Sequence, residues 1–119
     1  METVTSLAVN SAGTMLAAHS VKFDNYDYDF ISYIFVVRAE DGHYVTDVHE
    51  ITHGKRDKGE FIVEASGMYF DPYGIVYMGF NFVGSKGANA DDGSFNEYAS
   101  KLAVGAFNAN SKAMEFYWH

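Results

Sequence analysis

The chain has 119 residues and a formal net charge of −8 at pH 7, with 16 acidic against 8 basic residues. This length buries one modest core, so we expect a single domain over residues 1–119. The acidic balance disfavours nucleic acid and anionic membrane as partners, and the absence of cysteine excludes disulfides and thiolate metal sites. Ten Phe and nine Tyr favour pleated sheet surfaces and therefore an all-β fold.

The first part of the chain contains four strand-like segments. Gly13 lies in the turn between the first two, and Asp41-Gly42 supplies the positive dihedral angles of a tight turn between the last two. The third segment is almost continuously apolar, as in a strand covered on both faces, whereas the fourth mixes apolar and polar residues like an outer strand. The segments are Val4–Asn10, Thr14–Val21, Phe30–Ala39 and His43–Ile51.

The same order recurs in the second part of the chain after a hydrophilic stretch at residues 52–60. Asp71 and Gly74 frame its first turn, and Gly13 and Gly74 lie 61 residues apart (74 − 13). Such a spacing predicts two repeats, residues 4–51 and 61–118, each a four-stranded antiparallel sheet. The segments of the second repeat are Phe61–Phe70, Ile75–Phe82, Lys101–Phe107 and Ala113–Trp118.

Two stretches carry a resemblance to a known repeat family. Residues 67–80, GMYFDPYGIVYMGF, are similar to the opening hairpin of a β-propeller blade of the bacterial-type repeats, with their D-x-x-G-N-V-Y-x-x-G pattern. Residues 6–18, SLAVNSAGTMLAA, resemble it less closely and are also similar to WD-type blades. The sequence departs from the pattern at Ile75, Asn10 and Ala18, where Asn, Asp and Gly are common. The resemblance implies two propeller blades and identifies a scaffold, not an activity.

Two blades are fewer than the 4 to 8 that a propeller usually contains, so their outer faces need further blades. The resemblance therefore implies an oligomer of this chain, or a fragment of a longer one, with other blades as partners. An alternative is an eight-stranded up-and-down β-barrel, which would close its own edges and bind an apolar ligand inside.

The loops between the second and third strands of the two repeats provide the candidate binding residues. In a propeller they emerge on one face, which would be acidic and aromatic and suited to a protein partner or a sugar. Its carboxylates also suit calcium, although neither loop matches the calcium-loop motif and solvated acidic loops are the simpler interpretation. The candidates are Asp24, Tyr26, Asp27, Tyr28, Asp29, Asp91, Asp92, Phe95 and Glu97.

Catalytic signatures are absent from the sequence. It contains no G-x-S-x-G, H-E-x-x-H or phosphate-binding glycine motif, and His19 in the apolar second strand is expected to be a hydrogen-bonded interior residue. We therefore expect a non-catalytic propeller portion that serves as a protein-interaction or structural scaffold, with no resident cofactor. The alternatives are the ligand-binding barrel and a propeller segment that contributes loops to an active site, a sugar site or a cation site.

Overall fold

The computed structural model describes residues 2–24, 29–55, 60–85 and 98–118. These residues form eight strands, and none of them forms a helix that is long and apolar enough to cross a membrane. The strands are β1 (Glu2–Val9), β2 (Met15–Asp24), β3 (Asp29–Arg38), β4 (His49–Lys55), β5 (Glu60–Phe70), β6 (Ile75–Ser85), β7 (Tyr98–Asn108) and β8 (Ala113–Trp118).

Within each sheet, strands that are consecutive in the chain pair with each other, and all six pairs are antiparallel. The first sheet has the order β1-β2-β3-β4 and the second sheet has the order β5-β6-β7-β8. The predicted all-β class with two four-stranded antiparallel sheets is confirmed. Among the described residues the strands form two separate sheets rather than one closed cylinder, so the alternative of an eight-stranded barrel is wrong.

The last strand of the first sheet begins later than the sequence indicated. Tyr44 makes an isolated bridge to Val37, and the Val36 carbonyl then accepts hydrogen bonds from the backbone N–H groups of both Val45 (2.8 Å) and Thr46 (3.2 Å). This shared acceptor ends the ladder locally, and regular pairing resumes only at His49. β4 consequently extends to Lys55, four residues beyond the end predicted for the first repeat.

One hydrophobic core lies between the two sheets. The three largest of its fully buried side chains, Phe70, Phe80 and Phe107, all come from the second sheet. Their counterparts in the first sheet are mostly smaller, and this complementarity allows close packing across the interface. The buried cluster consists of Ala17, Ile34, Val36, Ile62, Ala65, Phe70, Val76, Met78, Phe80, Ala103, Phe107 and Ala109.

The pairing registers align the two sheets residue by residue. Val9 pairs with Leu16 in the first sheet and Phe70 with Val76 in the second, so that residues 10–15 correspond to residues 71–75. The first turn is therefore one residue longer. The sequence offset between equivalent residues consequently falls from 61 (70 − 9) before the turn to 60 (76 − 16) after it, whereas paired residues keep a common face in each sheet.

The same alignment extends to the third strands and to the turns that follow them. Leu16 pairs with Val37 and Val76 with Phe107, so Val37 and Phe107 occupy equivalent positions. In the turns, the N–H of Gly42 donates to the Arg38 carbonyl at 2.9 Å and the N–H of Lys112 donates to the Asn108 carbonyl at 2.7 Å. Gly42 and Lys112 both have positive φ angles, of 75° and 62°. The first three strands of the two sheets, and the turns that follow them, thus occupy equivalent positions.

We predict that Gly105→Ala destabilises the fold by about 1–3 kcal/mol, the usual cost of overpacking a core. An added Cβ would lie 2.6 Å from Met114 Cε, 2.9 Å from Phe80 Cε2 and 3.2 Å from the Glu115 carbonyl oxygen. The flexible Met114 methyl can move aside, but the buried Phe80 ring and the backbone of β8 cannot. Urea unfolding followed by circular dichroism measures the change.

Gly67→Ala is the matched control. A Cβ at Gly67 meets no atom within 4 Å, and Ser6, the equivalent residue of the first sheet, already carries a side chain. We expect its unfolding free energy to stay within about 0.5 kcal/mol of wild type. Equal unfolding midpoints for the two variants would contradict the packing described for Gly105.

Candidate functional site

Most of the predicted loop residues lie outside the described part of the chain. These are Tyr26, Asp27, Tyr28, Asp91, Asp92, Phe95 and Glu97. Asp24 and Asp29 are described as strand residues, paired with each other at the ends of β2 and β3. The acidic binding face therefore remains a prediction, as does calcium binding there.

The first turns of the two sheets use the same side-chain hydrogen bonds. Asn10 Oδ1 accepts from the N–H groups of Thr14 (2.9 Å) and Met15 (3.0 Å). Asp71 Oδ1 accepts from the N–H groups of Tyr73 and Ile75, both at 2.9 Å. Asn and Asp side chains stabilise turns in this way because their oxygens reach backbone donors a few residues onward. Gly13 and Gly74 follow them with φ angles of 71° and 87°, a region that favours glycine.

The Asp41-Gly42 turn is held by a small charged cluster. The Asp41 carboxylate contacts the Arg38 guanidinium and accepts from the His43 backbone N–H at 3.0 Å. The His43 bond and the adjacent arginine hold the pKa of Asp41 below its usual value. All of these groups bond to one another within one turn, so the cluster stabilises the turn. In the described residues no group of three or more His, Cys, Asp or Glu could hold a metal ion.

An apolar surface covers the side of the first sheet that faces away from the second. Leu7 and Val9 alternate onto this side of β1, and the β-bulge that follows Val4 brings that residue to the same side. The pairings place Phe35 and Tyr44 on this side as well. Val4, Leu7 and Val9 are 52–57% exposed, and the Tyr44 ring meets Phe35 edge-on at 5.8 Å. We call this surface, consisting of Val4, Leu7, Val9, Phe35 and Tyr44, the first outer face.

A second apolar surface lies on the opposite side of the molecule, on the far side of the second sheet. The rings of Tyr69 and Tyr77 stack at a centroid distance of 6.4 Å, and the exposed fractions of Leu102, Val104 and Tyr117 are 60%, 43% and 62%. We call these five residues the second outer face. Single exposed apolar side chains are normal, but contiguous patches indicate contact with another surface.

Acidic groups lie beside both outer faces. Partial burial and the carboxylates of Glu50 and Glu2 raise the pKa of Tyr33, which lies next to the first outer face. Desolvation and the nearby Glu115 raise the pKa of Tyr117 on the second outer face. Neither tyrosine is thereby activated as a base or nucleophile, since a raised pKa keeps the phenol protonated.

His19 lies at the centre of the interface between the sheets. Its side chain is fully buried, its Nδ1 lies 2.6 Å from Thr5 Oγ1, and its ring is 5.6 Å from that of Phe80. Within the described structure its Nε2 atom has no hydrogen-bond partner. Burial lowers the pKa of His19 from 6.5 to about 4, because a buried imidazolium would lose its hydration and leave one N–H group without an acceptor.

Thr5 connects this histidine to the second sheet. It lies in a β-bulge between Val4 and Ser6, and its Oγ1 accepts a hydrogen bond from the Ala65 N–H at 3.1 Å. The bulge turns the Thr5 side chain towards the neighbouring sheet, as such irregularities commonly do. A hydroxyl from one sheet therefore satisfies a backbone donor on the edge strand of the other.

Hollows on the described surface include one at each sheet. One of about 130 Å³ lies beside the second outer face, between Tyr117, Glu115 and Ala106. The other, about 390 Å³ and open to solvent, lies at the turns between Thr14 and Arg38. Pockets for small molecules are usually concave and bury most of the ligand, so the apolar outer faces, and not these hollows, are the candidate functional surfaces.

Comparisons with protein-family models, with curated proteins and with solved structures find no match to this chain. The functional interpretation therefore depends on the geometry of the two sheets. Sequence reasoning named the loops as the binding surface and expected outer faces that need further blades, but it did not name the residues of those faces. A sequence signal for the second outer face did exist, because large apolar or aromatic side chains occupy the outward positions of strands whose inward positions are also apolar. These side chains are Tyr69, Tyr77, Leu102 and Val104.

We predict that acid destabilises the chain through His19. Its folded-state pKa is lowered, so its neutral form stabilises the fold fully above pH 6.5, and this contribution is lost as the pH falls from 6.5 towards 4. The loss amounts to about 3 kcal/mol, at about 1.4 kcal/mol for each pH unit of the shift. Urea unfolding at a fixed protein concentration across this pH range measures it.

His19→Leu should remove this part of the pH dependence while keeping an apolar side chain in the core. His43→Gln, a change to an exposed histidine in a turn, should retain the wild-type slope. An unchanged slope in His19→Leu would show that another group causes the acid sensitivity.

Proposed function

We propose that this chain is a non-catalytic portion of a β-propeller that serves as a structural and protein-interaction scaffold. The single observation that carries the proposal is that the two equivalent sheets pack through opposite faces. Val37 lies on the exposed side of the first sheet, whereas its equivalent Phe107 is fully buried against the first sheet. Blades of a propeller are related by rotation, so each places one face on the opposite face of its neighbour.

The apolar character of the outer faces supports this interpretation over a two-layer sandwich. Strands of a sandwich alternate between residues of the core and polar residues that face water. Here the outward positions of β1 and β7 hold Leu7, Val9, Leu102 and Val104, all at least 43% exposed. Such side chains are expected where a further sheet covers each face.

The strand connections support a shared binding end for the scaffold. The C-terminal ends of β2, β4 and β6, where the connections to β3, β5 and β7 begin, lie on the same side of the two sheets, because strand directions alternate within each sheet and β5 starts near β4. The backbone N–H of Ile62 lies 3.4 Å from Thr52 Oγ1 at this end. The acidic and aromatic residues of the predicted loops belong to these connections, which is the basis for proposing a protein partner there.

Chemical modification of tyrosines in a native lysate of the producing cells tests the proposal. Tyr69 and Tyr117 are each 62% exposed and Tyr73, in the β5–β6 turn, is 80% exposed. If further blades cover the outer faces, nitration should modify Tyr73 readily and spare Tyr69 and Tyr117. Peptide mass spectrometry of the recovered chain gives the three modification rates.

The internal comparison with Tyr73 controls for reagent access and for chain abundance. Denaturing the same lysate before nitration should equalise the three rates, since protection then disappears. Comparable rates for all three tyrosines in the native lysate would mean that the second outer face is bare, and the proposed function would be wrong.

A further inference from the structure

The chain exposes both halves of the interface that joins its own two sheets. The second outer face occupies the positions that the first sheet uses to contact the second. Leu102 and Val104 correspond to Ser32 and Ile34, both of which are fully buried. The equivalence follows from the alignment of Val37 with Phe107.

The first outer face completes the pair. Leu7 and Val9 correspond to Met68, which packs against the core, and Phe70, which is buried. Leu7 and Val9 therefore expose apolar side chains at positions whose equivalents in the second sheet are covered by the first sheet. The first outer face thus corresponds to the surface by which the second sheet contacts the first sheet, and it would fit the second outer face of another molecule.

Side-chain sizes are complementary in both arrangements. Within the chain, the small Ala17 of β2 belongs to the same packed interface as the large Met78 of β6. On the outer sides of the same strands, the small Ala18 belongs to the first sheet and the large Tyr77 to the second. Each contact would place a small first-sheet side chain near a large second-sheet side chain, as close packing requires.

A hydroxyl group repeats at the equivalent bulge. Ser66 lies in a β-bulge between Ala65 and Gly67, which corresponds to the bulge at Thr5. Its Oγ now donates to the Gly79 carbonyl at 3.3 Å and is exposed. Val4 is the equivalent of Ala65, because the two occupy the same register position before their bulges.

We propose that a second copy of this chain docks its first outer face on the second outer face of the first copy. In that contact Ser66 Oγ accepts a hydrogen bond from the Val4 N–H of the next copy, as Thr5 Oγ1 does from Ala65 within the chain. The inference rests on the proposed function and names the partner. Repetition closes a ring when the rotation permits, and propellers of about 4 to 8 blades correspond to about two to four copies.

Two charged substitutions on the purified full chain test the pairing of unlike faces. Val104→Asp disables the second outer face and Leu7→Asp disables the first, and both sites are exposed enough to leave the fold intact. Wild type should sediment as a discrete oligomer and each variant as a 13.2 kDa monomer. An equimolar mixture, at the highest soluble concentration, should form a species of two chains. The intact first outer face of Val104→Asp can then dock on the intact second outer face of Leu7→Asp.

Tyr73→Asp is the matched control, since it changes an exposed aromatic residue in a turn outside both faces. It should assemble like wild type, and far-ultraviolet circular dichroism should be the same for all variants. Runs at moderate and high salt allow for the charge of −8, which opposes association most strongly at low ionic strength. A mixture that stays monomeric while wild type assembles would overturn the pairing, as would assembly by Leu7→Asp alone.

Ser66 variants test the hydrogen bond. Ser66→Ala should weaken association roughly fivefold, the equivalent of one hydrogen bond of about 1 kcal/mol, whereas Ser66→Thr should preserve it because threonine serves at position 5. Equal affinities for the two variants would remove this contact from the proposal.

The outcomes separate this inference from the proposed function. A purified wild-type chain that is monomeric, although Tyr69 and Tyr117 are protected in the lysate, would show that another polypeptide covers the faces, and the second-copy proposal would be wrong. Unprotected tyrosines in the lysate would instead refute the proposed function itself.

Discussion

Apolar side chains on both faces of each sheet are the constraint on which the arrangement depends. A sheet of this kind has to exclude water on two sides, because burial of apolar area is the main driving force of folding. Packing the two sheets together buries one face of each sheet, and this burial forms the core around Phe80 and Phe107. The remaining faces have the same chemistry, and the interpretation of the molecule as part of a larger layered assembly follows from that.

The contact joins unlike surfaces of the two equivalent sheets. Val9 and Phe70 occupy equivalent positions next to the first turns, yet Val9 is 57% exposed and Phe70 is buried against the first sheet. Leu16 and its equivalent Val76, their pairing partners after the turns, are divided between the outer side and the interface in the same way. A contact between unlike surfaces leaves one surface of each kind free, so the same contact can recur from molecule to molecule, whereas a contact between two like surfaces is complete with two copies.

Much of the fold could be predicted from the sequence, including the need to cover the outer faces, but the residues that form those faces could not. Turn residues such as Gly13, Gly42 and Gly74 separate apolar runs, so strand number, sheet membership and antiparallel pairing followed from local signals. His19 was expected to be an interior hydrogen-bonded residue, and its contact with Thr5 confirms this. β4 was misplaced because its mixed composition carries no clear period and the shared acceptor at Val36 is a tertiary feature. The outer faces depend on register, which no local pattern in the turns specifies.

The unequal contribution of the two sheets to the core affects how the chain folds as it is synthesised. The first sheet contributes smaller side chains to the interface, including Ala17, Ile34 and Val36, whereas the large rings of Phe70, Phe80 and Phe107 follow later in the sequence. Residues 2–55 therefore emerge from the ribosome without the side chains that would bury their inner surface. Stable folding of the first half has to await translation of the second, and the nascent chain exposes aggregation-prone strands until then.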